Sequence, residues 1–259
     1  MTKYNLSMVQ KISLAGILIV LTTICQKVFA VNYIPIVPFL RLSFGGPALI
    51  IFSSIVLGPW FGLLVGAASD LLGFLVFDPK LFGSIPFFQI TAIYALLGFV
   101  SYFVYHLVCK IKNKHLMLII EASTFFLFIV GITIFLCLND SVQLYSKVYE
   151  IGLAQRIVIP ILSFILLSLV FIFAFILDKK LSKNEEDYTV FHISFASFIV
   201  EISVMLIFGV LMKVWAFGSA TFVGILICQI LVSFFNVTLN TFFLYYMLGL
   251  SKKLLKGRA

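Results

Sequence analysis

The sequence predicts an all-α membrane protein, a polytopic helical bundle of about eight spans. Of its 259 residues, 63% are hydrophobic and only 11% are charged, whereas a soluble domain is about 25% charged. Apolar runs close to the roughly 20 residues that a span requires recur along the whole chain. Lipid offers the backbone no water, so only helices or closed barrels cross it. Long unbroken runs such as ILSFILLSLVFIFAFIL lack the alternation of barrel strands and therefore indicate helices.

The predicted spans are apolar runs separated by polar or proline-containing segments. The first run also resembles a signal peptide, because Lys3 and Lys11 precede it and Val28-Phe29-Ala30 resembles a cleavage site. We expect it to remain as a span, since the downstream chain keeps crossing the membrane. The eight predicted spans are Ile12–Ala30, Gly46–Leu57, Trp60–Phe77, Phe87–Cys109, His115–Leu138, Gly152–Leu177, Val190–Met212 and Thr221–Leu248.

The second span is short for a membrane crossing. Its 12 residues cover about 18 Å at about 1.5 Å per residue, against a hydrocarbon core of about 30 Å. Gly58-Pro59 ends it, because proline lacks an N–H and disfavours helix at the residue before it. This span must therefore start earlier, lie tilted, or be shielded from lipid by protein.

The distribution of lysine and arginine predicts the orientation. An even number of spans puts both termini on one side, and with the N-terminus inside, twelve of the 18 cationic residues lie in cytoplasmic segments. Cytoplasmic loops are enriched in Lys and Arg, so we expect a multi-pass protein of the cell membrane with both termini cytoplasmic. The six other cations are Lys27, Arg41, Lys80, Lys147, Arg156 and Lys213.

The segment DKKLSKNEED divides the chain into a six-helix membrane core, residues 1–178, and a second part, residues 179–259, with a charged cytoplasmic loop and two further spans.

No GxxxxGK[ST] pattern is present, so the chain has no obvious ATP site of its own. Its four cysteines and three histidines lack metal-ligand spacing. We expect no metal, no cofactor and no catalytic residues.

Ionisable residues at membrane depth are functional candidates, because each costs about 2.5–3.5 kcal/mol on insertion scales. Arg41 lies at the predicted outer mouth, where its planar guanidinium suits a carboxylate. It is either a counter-charge for an anionic ligand or an interfacial arginine that reaches headgroups or pairs with Asp70. The candidates are Arg41, Asp70, Glu121, Arg156 and Glu201, with nearby amides and a lysine at Gln26, Lys27, Gln89, Gln143, Gln229, Asn236 and Asn240.

The third span is predicted to serve helix packing. Gly62 and Gly66 are four residues apart and allow another helix to approach closely, and Gly73 continues the run of small residues. We expect Asp70 to join spans through a hydrogen bond rather than to touch a ligand. Glu121 and Glu201 are expected to face the bundle and pair internally, with a proton relay as the alternative.

The segment RLSFGGPALIIFSSIVLGPWFGLLVGAASDLLGFLVFDPK resembles the folate-type substrate-binding S components of energy-coupling factor vitamin transporters. The resemblance is clear over about residues 12–98 and diffuse to about residue 177, where Arg156 resembles an arginine that opens the last shared span. The motifs that carry it are Arg41-Leu42-Ser43-Phe44-Gly45, Leu57-Gly58-Pro59, Gly62, Gly66 and Asp70-Leu71-Leu72-Gly73.

The resemblance implies a compact six-helix subunit that binds a vitamin near the outer face, under the loop after the first span. It implies partners as well: a transmembrane coupling protein and two ATPases, which drive toppling of the subunit. Arg41 would be the ligand-side cation for an anionic vitamin such as folate, with Ser43, Phe44, Gln89 and Arg156 as further ligand-binding residues.

Three features depart from the family pattern. The chain has two extra spans, its first span lacks the usual small-xxx-small face, and the fourth span begins with IPFFQIT where the family reads PGFT. The alternative function is a stand-alone proton-coupled secondary transporter of a small nutrient, using Asp70, Glu121 or Glu201. A membrane enzyme would need a convergent catalytic set, and the sequence suggests none.

Overall fold

A computed structural model describes residues 6–31, 42–43, 45–77, 88–144, 147–181, 190–218 and 222–256. It confirms the predicted all-α bundle. The helices are α1 (Met8–Lys27), α2 (Gly46–Leu57), α3 (Pro59–Phe77), α4 (Phe88–Val108), α5 (Lys114–Leu138), α6 (Leu153–Leu181), α7 (Val190–Phe217) and α8 (Phe222–Lys256). The short strands are β1 (Ala30–Val31), β2 (Leu42–Ser43), β3 (Ser141–Leu144) and β4 (Lys147–Glu150).

Six helices in the described part of the chain are long and apolar enough to cross a membrane: α1, α3, α4, α5, α7 and α8. The chain is therefore a multi-pass membrane protein. Helix α2 and the apolar stretch Leu153–Leu169 of α6 are shorter, so the count of eight spans, like the orientation, stays a prediction.

Helix α2 is shielded by protein, which is one of the three solutions that its length allowed. Eleven of its 12 residues are buried, and α1, α3, α4 and α8 surround it. Gly45 begins the helix with φ +77° and Gly58 follows it with φ +103°, a left-handed backbone that favours glycine. The ring of Phe243 from α8 would lie 3.4 Å from a β-carbon added at Gly45.

Helices α3 and α4 pack backbone against backbone. A β-carbon added at Gly62 would lie 2.6 Å from the carbonyl oxygen of Gly98, and one at Gly66 would collide with the carbonyl of Tyr94. Thr91 of α4 donates a 2.6 Å hydrogen bond to the carboxylate of Asp70. Small residues therefore bring the two helices together, and a polar contact links them.

Helices α7 and α8 form the interior of the bundle. In their most apolar stretches 61% and 56% of the residues are buried, against 22–28% for the four other long helices. They contact α2, α4, α5 and α6. The division of the chain at residue 178 stays a prediction, but the two additional helices pack centrally rather than at the edge.

Two small hairpins, which the sequence did not predict, join helix ends. Strands β1 and β2 pair antiparallel with Ala30 opposite Ser43, so the chain after α1 returns to the end of that helix before α2 begins. Strands β3 and β4 form the connection from α5 to α6. This second hairpin lies on the start of α8, where a side chain at Gly224 would collide with the carbonyl of Gln143.

Candidate functional site

The predicted ligand-binding residues are only partly within the described structure. Arg41 and Phe44 lie outside the described residues, and Ser43 is described as a backbone position in β2. Gln89 lies in the first turn of α4 and is half-buried. Their assignment to a vitamin site stays a prediction.

Arg156 lies in the first turn of α6 and binds the connection that follows α5. Its Nη2 donates to the carbonyl of Asn139 at 3.2 Å and to the carboxylate of Asp140. The Asp140 side chain is 97% exposed, and exposed ion pairs contribute at most about 1 kcal/mol. Among the described residues, no hydrogen bond or ion pair joins Gln89 to Arg156.

A second polar site, which we call the α7–α8 seam, lies between α7 and α8. It consists of Glu201 and Lys213 from α7 and of Gln229, Ser233, Asn236 and Asn240 from α8. Glu201 begins a π-helical segment, Glu201–Phe208, within α7. π-Helical turns are rare, and they occur frequently at functional sites.

Side-chain hydrogen bonds connect four residues of the seam: Lys213, Gln229, Glu201 and Asn236. Lys213 Nζ donates to Gln229 Oε1 at 2.6 Å, and Gln229 Nε2 donates to Glu201 Oε1 at 3.4 Å. Asn236 Nδ2 donates to the same carboxylate oxygen at 3.0 Å. The Gln229 amide therefore points its oxygen at the ammonium and its nitrogen at the carboxylate.

The carboxyl and amine groups of the seam are expensive to bury in their charged forms. Glu201 is 1% exposed, and removing an ion pair from water costs several kcal/mol per ion unless hydrogen bonds compensate. Lys213 is half-buried and close enough to interact electrostatically with Glu201, so one amide bridges the two titratable side chains.

The geometry of the seam follows from residue spacing in an antiparallel pair. Residues 229, 233, 236 and 240 are separated by four, three and four positions, which places them on one face of α8. Contacts pair residue 213 with 229 and residue 201 with 236, so α7 and α8 run antiparallel. Sequence reasoning noted the three amides and Glu201 but missed this spacing, and it treated Lys213 only as an outer cation.

The second buried acid, Glu121, forms a separate contact. Ser194 of α7 donates a 2.9 Å hydrogen bond to Glu121 Oε1 of α5, and the glutamate is buried. The prediction that Glu121 and Glu201 face the bundle and pair internally is confirmed. Each acid is bonded to a different helix neighbour, and neither bond joins the two acids.

A small cavity lies beneath the β3–β4 hairpin, beside the Lys213 end of the seam. Its volume is about 20 Å³, which accommodates about one water molecule. Cys228, which interacts electrostatically with Lys213, forms part of the wall. The polar groups around the cavity are Glu150, Gln155 and Cys228.

Among the residues that the structure describes, no three His, Cys, Asp or Glu side chains come together as a metal site. Comparisons of the chain with protein-family models, with curated proteins and with solved structures found no match. The class that the fold and the seam define is a multi-pass helical membrane protein with a buried polar seam.

Proposed function

We propose that the chain is the substrate-binding membrane subunit of an energy-coupling factor vitamin transporter, for folate or a related anionic vitamin. Separate coupling-protein and ATPase subunits would energise uptake. The observation that carries the proposal is the segment of residues 41–80, which combines an outer arginine, a glycine-rich helix start and a small-residue helix in the order typical of such subunits.

The packing around this segment is compatible with a ligand-binding role. The pairing of β1 with β2 brings both ends of the connection after α1 next to each other. Helix α2 then begins among buried side chains, with Gln26 of α1 against Gly46. A buried amide thus lies next to the first residue of α2, at the start of the glycine-rich part of this segment.

The chemistry of the predicted ligand residues suits an anion with a planar ring. A guanidinium binds a carboxylate through two parallel hydrogen bonds, so Arg41 would hold a vitamin carboxylate. Phe44 offers an aromatic face, and Gln89 offers both a donor and an acceptor. Arg156 would join the site only after exchanging its bond to Asp140 for one to the ligand.

Reconstitution of uptake in liposomes tests the proposal. Vesicles containing the chain, the coupling protein and both ATPases should accumulate radiolabelled folate only when ATP is supplied to the ATPase side. Vesicles containing the chain alone should accumulate none, with or without an imposed proton gradient. Uptake by the chain alone under a proton gradient would instead establish the secondary-transporter alternative and reject the proposal.

A further inference from the structure

Three buried polar atoms in and next to the α7–α8 seam lack a hydrogen-bond partner. They are Ser197 Oγ, Glu201 Oε2 and Asn240 Nδ2, and each residue is 1% exposed. Ser197 precedes Glu201 by four residues and Asn240 follows Asn236 by four. The antiparallel pairing of Glu201 with Asn236 therefore brings Ser197 and Asn240 to the next turn of the same interface.

The two oxygens of the Glu201 carboxylate are in different environments. Oε1 accepts hydrogen bonds from Asn236 at 3.0 Å and from Gln229 at 3.4 Å, whereas Oε2 accepts none. The hydroxyl of Ser233 is also close to this carboxylate, but it donates to the backbone carbonyl of Gln229 at 2.7 Å. A charged oxygen that is buried without a partner is strongly unfavourable. Oε2 is thus the atom of the seam at which a positively charged species would bind.

The surrounding charges restrict what that species is. The elements packed against the π-helical segment are α4, α8 and the flanking parts of α7. The titratable groups that interact with Glu201 or with its cationic neighbour are Lys213 and Cys228. On α4, the apolar side chain of Ile93 would lie 3.7 Å from a β-carbon added at Gly209, the residue that follows this segment.

A metal cation does not suit these groups. Metal ions that prefer oxygen take about six or more oxygen ligands. The unpartnered atoms here comprise one carboxylate oxygen, one hydroxyl and one amide nitrogen. A proton needs one oxygen only, and the resulting O–H becomes a donor for a neighbouring hydroxyl or amide oxygen.

We propose that Glu201 is a membrane-embedded proton-binding site of this chain. In one state a hydronium ion gives its proton to Oε2, an O–H bond forms, and a water molecule is released. In the other state the proton has returned to water, the carboxylate is charged, and Lys213 balances it through Gln229. This inference goes beyond vitamin binding, because the site is formed by α7 and α8, which the resembled six-helix subunits lack.

A water-sized cavity under the β3–β4 hairpin shares Cys228 with the surroundings of Lys213. The small cavity there is lined by the exposed Glu150 and by Gln155 and Cys228. Cys228 precedes Gln229 in α8 and interacts with Lys213. A water in this cavity would therefore lie at the Lys213 end of the hydrogen-bonded chain that leads to Glu201.

Infrared difference spectroscopy of the full-length protein in lipid, between acidic and alkaline buffer, tests the proposal. The wild type should show the carbonyl stretch of a protonated, buried carboxyl group that responds to H/D exchange. The comparison is made in a Glu121→Gln background, since Glu121 is the other buried acid and would contribute a band of its own. Glu121→Gln should retain the band, and adding Glu201→Gln, which preserves the shape and an acceptor oxygen, should abolish it.

A second variant keeps the proposal testable if Glu201→Gln does not fold. Lys213→Met removes the balancing cation, so the carboxylate should hold its proton more tightly and the band should titrate at higher pH than in the wild type. Lys114→Met, an exposed lysine at the start of α5, should leave the midpoint unchanged. The same midpoint in both lysine variants, or a band that persists when Glu201→Gln and Glu121→Gln are combined, would overturn the proposal. So would a site that responds to Na⁺ concentration and not to pH.

Discussion

At the residue scale, one guanidinium is central to the proposed vitamin recognition. Arg41→Ala should weaken binding of an anionic vitamin by roughly ten- to a hundredfold, because a charge-assisted hydrogen bond contributes about 1.5–3 kcal/mol. Arg41→Lys keeps the charge and should lose much less. Isothermal titration of the purified protein with folate measures both. Equal, small losses would indicate that Arg41 anchors the chain to headgroups instead.

A second residue-scale prediction concerns the shorter of the two hydrogen bonds to the Glu201 carboxylate. Asn236→Leu should lower the free energy of unfolding by about 1–3 kcal/mol, because the buried carboxylate loses its 3.0 Å donor. Thermal unfolding in detergent measures the change. Thr238→Val is the matched control on the same helix, since that hydroxyl bonds only to the backbone carbonyl of Phe234. Equal melting temperatures for the two variants would contradict a coupled seam.

The sequence is a good guide to which polar residues are buried, but a poor guide to which of them contact one another. The inward position of Glu121 and Glu201 follows from the cost of a charge in lipid, and it is confirmed. The bridge from Lys213 through Gln229 to Glu201 requires knowing that α7 and α8 are antiparallel and in this register. The polar spacing on α8 indicates a face but does not specify its partner.

At the element scale, the contact between α3 and α4 depends on the absence of side chains. Gly66→Ala should destabilise the protein by about 1–3 kcal/mol, because the new methyl group would collide with the carbonyl of Tyr94 and separate the helices. Thermal unfolding and gel filtration measure the loss. Gly131→Ala on α5 is the control, because nothing lies within 4 Å of its added β-carbon. It should be neutral or slightly stabilising, and an equal loss in both variants would refute the packing account.

Helix positions are predictable from apolar runs, while local deviations are not. The start of α3 lies within one residue of the predicted span, since Gly58-Pro59 is a strong break. Helix α8 runs to Lys256, beyond the predicted end at Leu248, so the lysine-rich tail of the chain is helical as well. Hydropathy contains no signal for the π-helical segment, for the β1–β2 pairing or for the short β3–β4 hairpin, whose strands are separated by only two residues.

At the scale of the whole molecule, the burial of α7 and α8 predicts that the first six helices need these two helices in order to fold stably. A chain of residues 1–178 should fail to give a monodisperse, cooperatively unfolding protein, because it would expose the surfaces that α7 and α8 cover. Gel filtration in detergent is the readout. A chain ending at residue 251, which retains the entire seam, is the control. A well-folded 1–178 fragment would show that the last two spans are an independent addition.

The most direct test of the central claim is mass spectrometry of small molecules released from the purified full-length protein, produced in cells supplied with vitamins. The wild type should release an anionic vitamin in an amount equal to the protein, and Arg41→Ala should release far less. Absence of any such anion from the wild type, or equal amounts from the two proteins, would contradict vitamin binding. Neither result would affect the proton site at Glu201, which the infrared experiment examines separately.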